Sequence, residues 1–192
     1  WLKPLPGEKW VDLCCGTGDL SISLAKHLNA KGSVLGVDFS SEQLALARER
    51  ALRKNTLSIT WLNEDVLKNS LSSHSFDGVL MAYGLRNLSN PQEGIEEIYR
   101  LLRPGGRAGI LDFNSAIEDS LNSYFQKIYL RRFVVPIASV FGLKGEYLYL
   151  QDSLKTFPSG SMQKSFAINA GFRKASYKLL AGGQMGVLLL KA

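Results

Sequence analysis

Hydrophobic and polar positions follow two alternating patterns along the first half of the chain. Short, mostly apolar runs predict five strands, at 10–14, 33–40, 58–66, 76–84 and 107–113. Between them, apolar residues that recur every three or four positions predict helices at 19–30, 40–54 and 91–102. Strands that alternate with helices are typical of a doubly wound, mostly parallel sheet, which binds its ligands at the carboxyl ends of the strands. We therefore expect the functional side chains at that edge.

The predicted helices carry start and stop signals. The second opens with Ser41, three residues before an apolar-periodic run, and closes among basic residues. The third starts at Pro91, a residue favoured in the first turn, and ends before Pro104-Gly105-Gly106. The fifth strand is therefore expected to begin only at Arg107.

The pattern changes after Asn114. The segment 115–157 has no strand–helix repeat and carries many aromatic residues, so we interpret it as a helical insertion that serves as a substrate lid. The tail predicts one more helix at 159–172 and two strands, at 173–180 and 185–191, joined through Gly182-Gly183. Such a short connection makes the two strands antiparallel. Residues 1–192 are thus expected to form a single α/β domain with seven strands.

The composition gives the chain a mild positive charge and excludes several classes of protein. Lys and Arg number 23 against 17 Asp and Glu, which gives +6 and favours an anionic partner, although the charges are scattered. Apolar stretches such as 133–138 are far shorter than the roughly 18 to 20 residues that cross a bilayer. Cys14 and Cys15 are neighbours, which excludes a disulfide scaffold and a structural zinc site. We expect a cytoplasmic protein, from which a segment upstream of Trp1 has been removed.

A glycine turn follows the first predicted strand. Gly16 and Gly18 flank Thr17 and let the backbone approach a ligand closely. The third glycine of the dinucleotide fingerprint falls at position 21, which is Ser21. Nothing in the turn therefore indicates a pyrophosphate.

Three carboxylates lie in or after the first three strands. Asp38 stands 22 residues after Gly16 (38 − 16), a spacing at which a carboxylate binds the ribose diol of NAD or S-adenosylmethionine. Asp65 follows the third strand beside an adenine position, and Asp12 lies inside the first strand, where a buried acid needs a donor or a cation. Without a basic phosphate clamp, the three acids favour a cationic ligand. Alternatively, Asp38 caps a helix, Asp65 closes a turn and Asp12 binds backbone amides.

Several motifs together carry a family resemblance. VDLCCGTGDL, GVDFS, NED, FDGVLMAYGLRNL, LLRPGG and ILDFN resemble the ubiquinone and menaquinone biosynthesis C-methyltransferase family. WLKPLPGEKWVDLCCGTGDL, FPSG and AGGQMGVL are most similar to its cyanobacterial 2-phytyl-1,4-naphthoquinone (demethylphylloquinone) branch. The resemblance implies the class I S-adenosylmethionine-dependent methyltransferase fold, with a seven-stranded sheet whose last strand is antiparallel. It also implies an N-terminal helical segment over the pocket, which this sequence lacks.

The resemblance also implies a cofactor and positions for it. S-adenosyl-L-methionine would place its methionine portion against Gly16 and Gly18, its ribose on Asp38 and its adenine at Asp65 and Val66. Met81, after the fourth strand, would bring backbone near the amino acid end. The complete set of expected cofactor-binding residues is Asp12, Gly16, Thr17, Gly18, Asp38, Phe39, Asp65, Val66 and Met81.

The resemblance implies methylation of a reduced prenylated naphthoquinone, 2-phytyl-1,4-naphthoquinol, to phylloquinol. This reaction needs stabilisation of a phenolate and a proton acceptor, but no metal. In YGLRN, Arg86 can hold the phenolate, Asn87 can donate or accept a hydrogen bond, and Tyr83 can stack or donate. Asp112, at the end of the fifth strand, is our candidate base, acting through water. Alternatively, Arg86 forms an ion pair and Asp112 braces the next segment.

Partners and competing functions follow from the same residues. The aromatic segment 124–149 can wall a pocket for the lipophilic quinol, and Lys127, Arg131 and Arg132 can rest on an anionic thylakoid or plasma membrane. An ordinary core and a solvated helix face explain these residues as well. AYGLRN stands where nucleic-acid amino-methyltransferases carry N-P-P-aromatic, which argues against nucleic acid. A demethylmenaquinol or ubiquinone-precursor enzyme, an NAD-dependent oxidoreductase and a non-catalytic S-adenosylmethionine-binding protein are the alternatives, and the oligomeric state stays undetermined.

Overall fold

The computed structural model describes residues 1–29, 31–56, 58–114, 153–154 and 156–192. The strands are β1 (Lys9–Leu13), β2 (Ser33–Asp38), β3 (Ile59–Asn63), β4 (Phe76–Ala82), β5 (Leu102–Phe113), β6 (Lys174–Leu180) and β7 (Met185–Lys191). The helices are α1 (Asp19–His27), α2 (Ser41–Arg53), α3 (Pro91–Leu101) and α4 (Gly160–Ala170). The strands form a seven-stranded sheet in the order β3-β2-β1-β4-β5-β7-β6.

The sheet is mostly parallel, as the sequence predicts. β1 to β5 pair in parallel with their neighbours, and β7 runs antiparallel to both β5 and β6. The strand order reverses between β1 and β4, and ligands of such sheets bind beside this point, outside the carboxyl ends of the strands. Because β7 runs against its neighbours, its first residue, Met185, also lies at this edge, opposite Phe113 of β5.

Two buried clusters cover the two faces of the sheet. On one face, Ile95 and Ile98 of α3 and Ala167 of α4 belong to a cluster with residues of β4, β5 and β7. On the other, Trp10 of β1 packs with residues of α1 and α2. The Trp10 ring lies within 2.4 Å of the place that a Cβ on Gly78 would take, so only glycine fits beside it. The core therefore fixes β1 against β4, the two strands that flank the crevice.

The fifth strand is longer than predicted. β5 begins at Leu102, whereas the sequence predicts a start at Arg107. Phe76 pairs with Leu102 and Gly78 with Arg107, so β5 carries extra residues at a register shift, where Gly105 has φ +78°. The Pro-Gly-Gly signal thus marks an irregular stretch of strand as well as the end of α3.

Several other predicted positions also need correction. The cap of α2 is Ser40, whose Oγ accepts a hydrogen bond from the Gln43 amide at 3.2 Å, and not Ser41. β3 ends at Asn63 because Asp65 caps a 3₁₀ turn over Val66–Lys68. Met81 lies inside β4, not after it, and its side chain is buried. Its backbone pairs in register with Leu13 and Ile110.

The insertion predicted at 115–157, with its basic residues Lys127, Arg131 and Arg132, lies outside the described residues apart from its last few positions. None of the described helices is long and apolar enough to cross a membrane.

Candidate active site

The glycine turn bends the chain from β1 into α1. Gly16 and Gly18 have φ values of +51° and +80°, in the left-handed region that glycine adopts without strain. Gly18 is the N-cap of α1 and offers no side chain to the first turn. The Trp61 ring lies 2.6 Å from the place of a Cβ on Gly18, so the turn also needs glycine for packing. Because Gly18 has no side chain to cap them, the first amides of α1 stay available at the carboxyl edge of the sheet.

Asp38, at the end of β2, holds the glycine turn in place. One carboxylate oxygen, Oδ2, accepts a hydrogen bond from the Gly16 amide at 2.8 Å, and Oδ1 accepts one from the Ser40 amide at 3.0 Å. Asp38 therefore precedes the helix cap rather than serving as the cap. Each oxygen keeps a lone pair, so the side chain can still accept hydrogen bonds from a diol.

Asp12 is buried inside β1 and finds its donor in Ser21. Ser21 Oγ donates to Asp12 Oδ2 at 2.6 Å, and the Ser21 backbone adds a further hydrogen bond. Burial raises the pKa of Asp12 to about 7; the Ser21 hydrogen bonds oppose that rise and the charge of Asp38 adds to it. The residue that replaces the third fingerprint glycine thus satisfies a buried acid, a role that the sequence analysis missed.

We expect Asp12 to make the stability of the cofactor-free protein fall as pH rises from about 4 to 7. The unfolded state ionises Asp12 near 3.8, whereas the folded state keeps the proton until about 7, which corresponds to about 4 kcal/mol. Asp12→Asn keeps an acceptor for Ser21 and should abolish this fall. Urea unfolding of both proteins at pH 5 and pH 8 measures it, and an equal fall in both would contradict the assignment.

The remaining expected cofactor residues differ in exposure. Phe39 is 79% exposed directly after β2, and Asp65 is exposed after β3, with Oδ1 accepting from the Leu67 amide at 2.9 Å. The turn interpretation of Asp65 is thus correct, while its Oδ2 stays available to an amino group. Val66 is buried behind it. The Thr17 hydroxyl and carbonyl both accept hydrogen bonds from the Arg50 guanidinium, which ties the turn to α2.

Four carboxylates surround Cys14 at the centre of this edge. Burial, with the charges of Asp38, Asp12, Asp65 and Asp112, raises the pKa of the Cys14 thiol to about 12. The thiol is therefore uncharged at neutral pH. Asp38 and Asp65, together with Asp12 once it ionises, favour a cationic ligand such as a sulfonium with an ammonium group, and the residues present fit S-adenosylmethionine.

The two motifs CCGTG and YGLRN touch through Gly84. A Cβ on Gly84 would lie 2.6 Å from Cys14 Cβ and 2.8 Å from its Sγ. Glycine at position 84 thus lets the loop after β4 lie directly on the glycine turn after β1. The side chains of the YGLRN segment are thereby brought next to the cofactor crevice.

We expect Gly84→Ala to destabilise the protein by about 1–3 kcal/mol, because the new methyl group overlaps Cys14. Cys14→Gly removes the overlapping Cβ. It also relieves the backbone strain of a non-glycine residue at φ +54°, so it should restore most of that loss. Urea unfolding of both single variants and the double variant measures the coupling. An unchanged cost of Gly84→Ala in the Cys14→Gly background would contradict this contact.

Arg86 and Asp112 form a nearly buried pair. Asp112 accepts the Arg86 amide at 3.1 Å, Arg86 Nη1 at 3.4 Å and the Phe113 amide at 2.8 Å. Burial raises the pKa of Asp112, and the charge and hydrogen bonds of Arg86 oppose that rise. The structure shows the ion pair that the sequence left open as an alternative for Arg86. Because Asp112 is buried and forms an ion pair with Arg86, this geometry favours a positioning role over that of a base.

The Arg86 side chain is held by Asp112, the Tyr83 carbonyl and the Phe113 ring, and its Nη2 donates to no acceptor among the described residues. Its Nη1 donates to the Tyr83 carbonyl at 2.7 Å, and its guanidinium lies 5.3 Å from the centre of the Phe113 ring. Its Nε is buried and has no hydrogen-bond partner among the described residues. Asn87 Nδ2 also donates to the Tyr83 carbonyl, at 3.0 Å.

The two histidines lie away from this cluster. His27 ends α1, and His74 precedes β4, with Nδ1 2.9 Å from the Leu102 carbonyl at the opposite edge of the sheet. Neither histidine is therefore placed to accept a proton beside Arg86.

A glycine turn, acidic groups after successive parallel strands and a reversed β7 define a class I S-adenosylmethionine-dependent methyltransferase. Solved structures share this fold. An S-adenosylmethionine-dependent methyltransferase from Aquifex aeolicus superposes with a TM-score of 0.69 at 19% identity, covering 100% of this chain and 84% of that one. Phosphoethanolamine N-methyltransferase 2 from Haemonchus contortus, in complex with S-adenosyl-L-methionine, gives 0.68 at 20% identity, covering 93% and 36%.

Sequence comparison identifies the family. The ubiE/COQ5 methyltransferase family model matches residues 2–189. The 2-phytyl-1,4-naphtoquinone methyltransferase of Nostoc punctiforme is 41% identical over 99% of this chain and 83% of its own length. The chloroplastic 2-phytyl-1,4-beta-naphthoquinone methyltransferase of Arabidopsis thaliana is 38% identical over 98% and 73%. The chain belongs to the ubiE/COQ5 methyltransferase family, which confirms the resemblance, and it is an S-adenosylmethionine-dependent methyltransferase.

Proposed function

We propose that this methyltransferase transfers a methyl group from S-adenosylmethionine to a ring carbon of 2-phytyl-1,4-naphthoquinol, which gives phylloquinol. The cyanobacterial relatives that support this substrate are 39–42% identical over almost the whole chain. The alternatives of the same chemistry are demethylmenaquinol and a ubiquinone precursor.

The proposed cofactor site follows the carboxyl edge of the sheet. Asp38 binds the ribose hydroxyls, Asp65 accepts from the adenine amino group, and Phe39 and Val66 line the adenine. Gly16 and Gly18 lie against the methionine portion, and the cationic groups of the cofactor favour the ionised form of Asp12. When bound there, S-adenosylmethionine supplies an electrophilic methyl group.

Arg86 is the observation that carries the proposed chemistry. A quinol carbon becomes nucleophilic when a neighbouring oxygen ionises, and a fixed guanidinium stabilises that phenolate more than it stabilises the neutral quinol. Asp112 and the Tyr83 carbonyl hold Arg86 within the loop that touches the glycine turn, and its Nη2 donates to no acceptor among the described residues. Asn87 adds an amide that can bind the same oxygen.

The proton released from the ring carbon needs an acceptor. We assign this role to water, because Asp112 is buried and paired with Arg86. In this scheme Asp112 is a positioning residue that keeps Arg86 charged and oriented. The new carbon–carbon bond replaces the bond between sulfur and the methyl group, and the proton leaves to solvent.

We expect labelled methyl transfer to reduced 2-phytyl-1,4-naphthoquinone and none to the oxidised quinone, because only the quinol supplies a phenolate. A panel with demethylmenaquinol, a demethylated ubiquinol precursor and RNA, run anaerobically in detergent, identifies the substrate. Efficient methylation of the oxidised quinone would overturn the phenolate mechanism. Calorimetric binding of S-adenosylmethionine without turnover of any quinol would favour a non-catalytic binding protein.

We also propose that the protein is cytoplasmic and touches the membrane peripherally, because its proposed substrate dissolves in lipid rather than in water. Sedimentation with vesicles that contain anionic lipid, compared with neutral vesicles, tests this part separately.

A further inference from the structure

The start of the reversed strand β7 lies beside the YGLRN loop. Met185 is paired in register with Phe113, the last residue of β5, so its side chain is placed at the carboxyl edge of the sheet. Tyr83 Oη donates a hydrogen bond to Met185 Sδ at 3.1 Å, although 102 residues separate the two in sequence. The roles assigned above to Arg86, Asn87 and the cofactor-binding residues do not involve this contact.

Tyr83 is held in an unusual backbone conformation. Its φ is +57°, which is costly for an aromatic residue and persists only where the surroundings fix it. Its amide donates to the Leu111 carbonyl at 2.7 Å, and its carbonyl accepts from Arg86 and Asn87. This conformation turns a 38% exposed phenol ring toward Phe113, with 5.3 Å between the ring centres.

The hairpin that carries Met185 is anchored to the end of β5. The Asn114 amide donates to the Gln184 carbonyl at 2.9 Å, and Asn114 Nδ2 donates to the Gly183 carbonyl at 3.0 Å. Tyr177 Oη donates to Asn114 Oδ1 at 3.0 Å. The position of Met185 is thus fixed by hydrogen bonds that do not involve the catalytic loop.

We propose that Met185 is a positioning residue for substrate recognition, whose thioether fixes the Tyr83 phenol so that Tyr83 and Phe113 form an aromatic wall for the substrate ring. The wall begins at the guanidinium of Arg86, which lies over Phe113, so a ring held on it keeps an oxygen near that charge. A thioether suits this position because it is polarisable and apolar, and it accepts a hydrogen bond from the Tyr83 hydroxyl without competing for the quinol oxygen. The inference rests on the proposed function and names a residue that sets its specificity.

The test compares Met185→Leu, Tyr83→Phe and the double variant. Each single variant should raise KM for the naphthoquinol about fivefold, with kcat within twofold and the Kd of S-adenosylmethionine unchanged. Because both remove the same contact, the double variant should be no worse than either one. Leu179→Ala, an exposed position on β6 of the same hairpin, is the matched control and should leave KM unchanged.

Anaerobic calorimetry with 1,4-dihydroxynaphthalene separates this inference from the proposed function. If the wild type methylates no quinol but binds this ring more tightly than Met185→Leu does, the proposed function fails and the inference stands. Additive effects of Met185→Leu and Tyr83→Phe on KM would overturn the inference, as would an unchanged KM in either variant. A weaker Kd for S-adenosylmethionine, or equal affinity of the wild type and the variants for 1,4-dihydroxynaphthalene, would also overturn it.

Discussion

Arg86→Gln should lower the turnover of naphthoquinol by about 100-fold, while the Kd of S-adenosylmethionine changes little. Loss of one preorganised donor to a developing oxyanion costs about this much in other enzymes. Arg86 touches Asp112, Tyr83 and Phe113, and none of these is among the residues that we assign to the cofactor. Single-turnover methyl transfer at saturating cofactor, together with calorimetry, measures the two quantities separately.

Two further variants make this result specific. Arg86→Lys keeps the charge but cannot reproduce the planar, multiple-donor geometry, so we expect an intermediate loss of turnover. Arg103→Gln removes the guanidinium of a β5 residue that pairs with Asp77 at the opposite edge of the sheet, and it should leave turnover unchanged. Parallel losses of turnover and cofactor affinity in Arg86→Gln would show that the arginine only supports the fold.

Asp38→Asn should raise the Kd of S-adenosylmethionine at least tenfold. The carboxylate already accepts the Gly16 and Ser40 amides, so any ribose hydroxyl binds to its remaining lone pairs. An amide replaces one acceptor with a donor, which must face either a backbone N–H or the diol. The substitution also removes a negative charge from a crevice that binds a cation.

Asp77→Asn is the matched control for Asp38→Asn. Asp77 also joins two strands through a backbone amide, accepting from Lys9 at 2.8 Å, but it lies at the edge where the parallel strands begin. We expect this variant to lose stability without loss of cofactor affinity. An unchanged Kd in Asp38→Asn would reject the ribose assignment.

The fold follows from the sequence wherever local pattern and packing agree. Each of the seven strands and four helices among the described residues overlaps the position that the periodicity predicts, although several boundaries differ. Alternating short apolar runs and helical faces leave few topologies. The start of β5 was missed because Pro104 and the two glycines after it resemble a loop. Only the partner strand β4 shows that they continue the ladder as an irregularity.

The site could be predicted only in part. Spacing along the sequence brings Asp38 and Asp65 to strand ends, since each follows an apolar run. Contacts between distant segments, such as Arg86 with Asp112 or Tyr83 with Met185, depend on strand order and register, which one sequence does not show. The role of Ser21 was missed because the glycine fingerprint indicates only that position 21 is not glycine. It does not indicate that the Ser21 hydroxyl donates to Asp12.

The hydrogen bond from Ser21 to Asp12 restricts how this protein could acquire another cofactor. Ser21→Gly would complete a G-x-G-x-x-G sequence, but it would leave a buried carboxylate without its hydroxyl donor. Asp12 would have to become apolar in the same step or an earlier one. A change in cofactor from S-adenosylmethionine to a dinucleotide therefore requires two substitutions, at positions 12 and 21. The order of the two decides whether the intermediate protein carries an unpaired buried carboxylate.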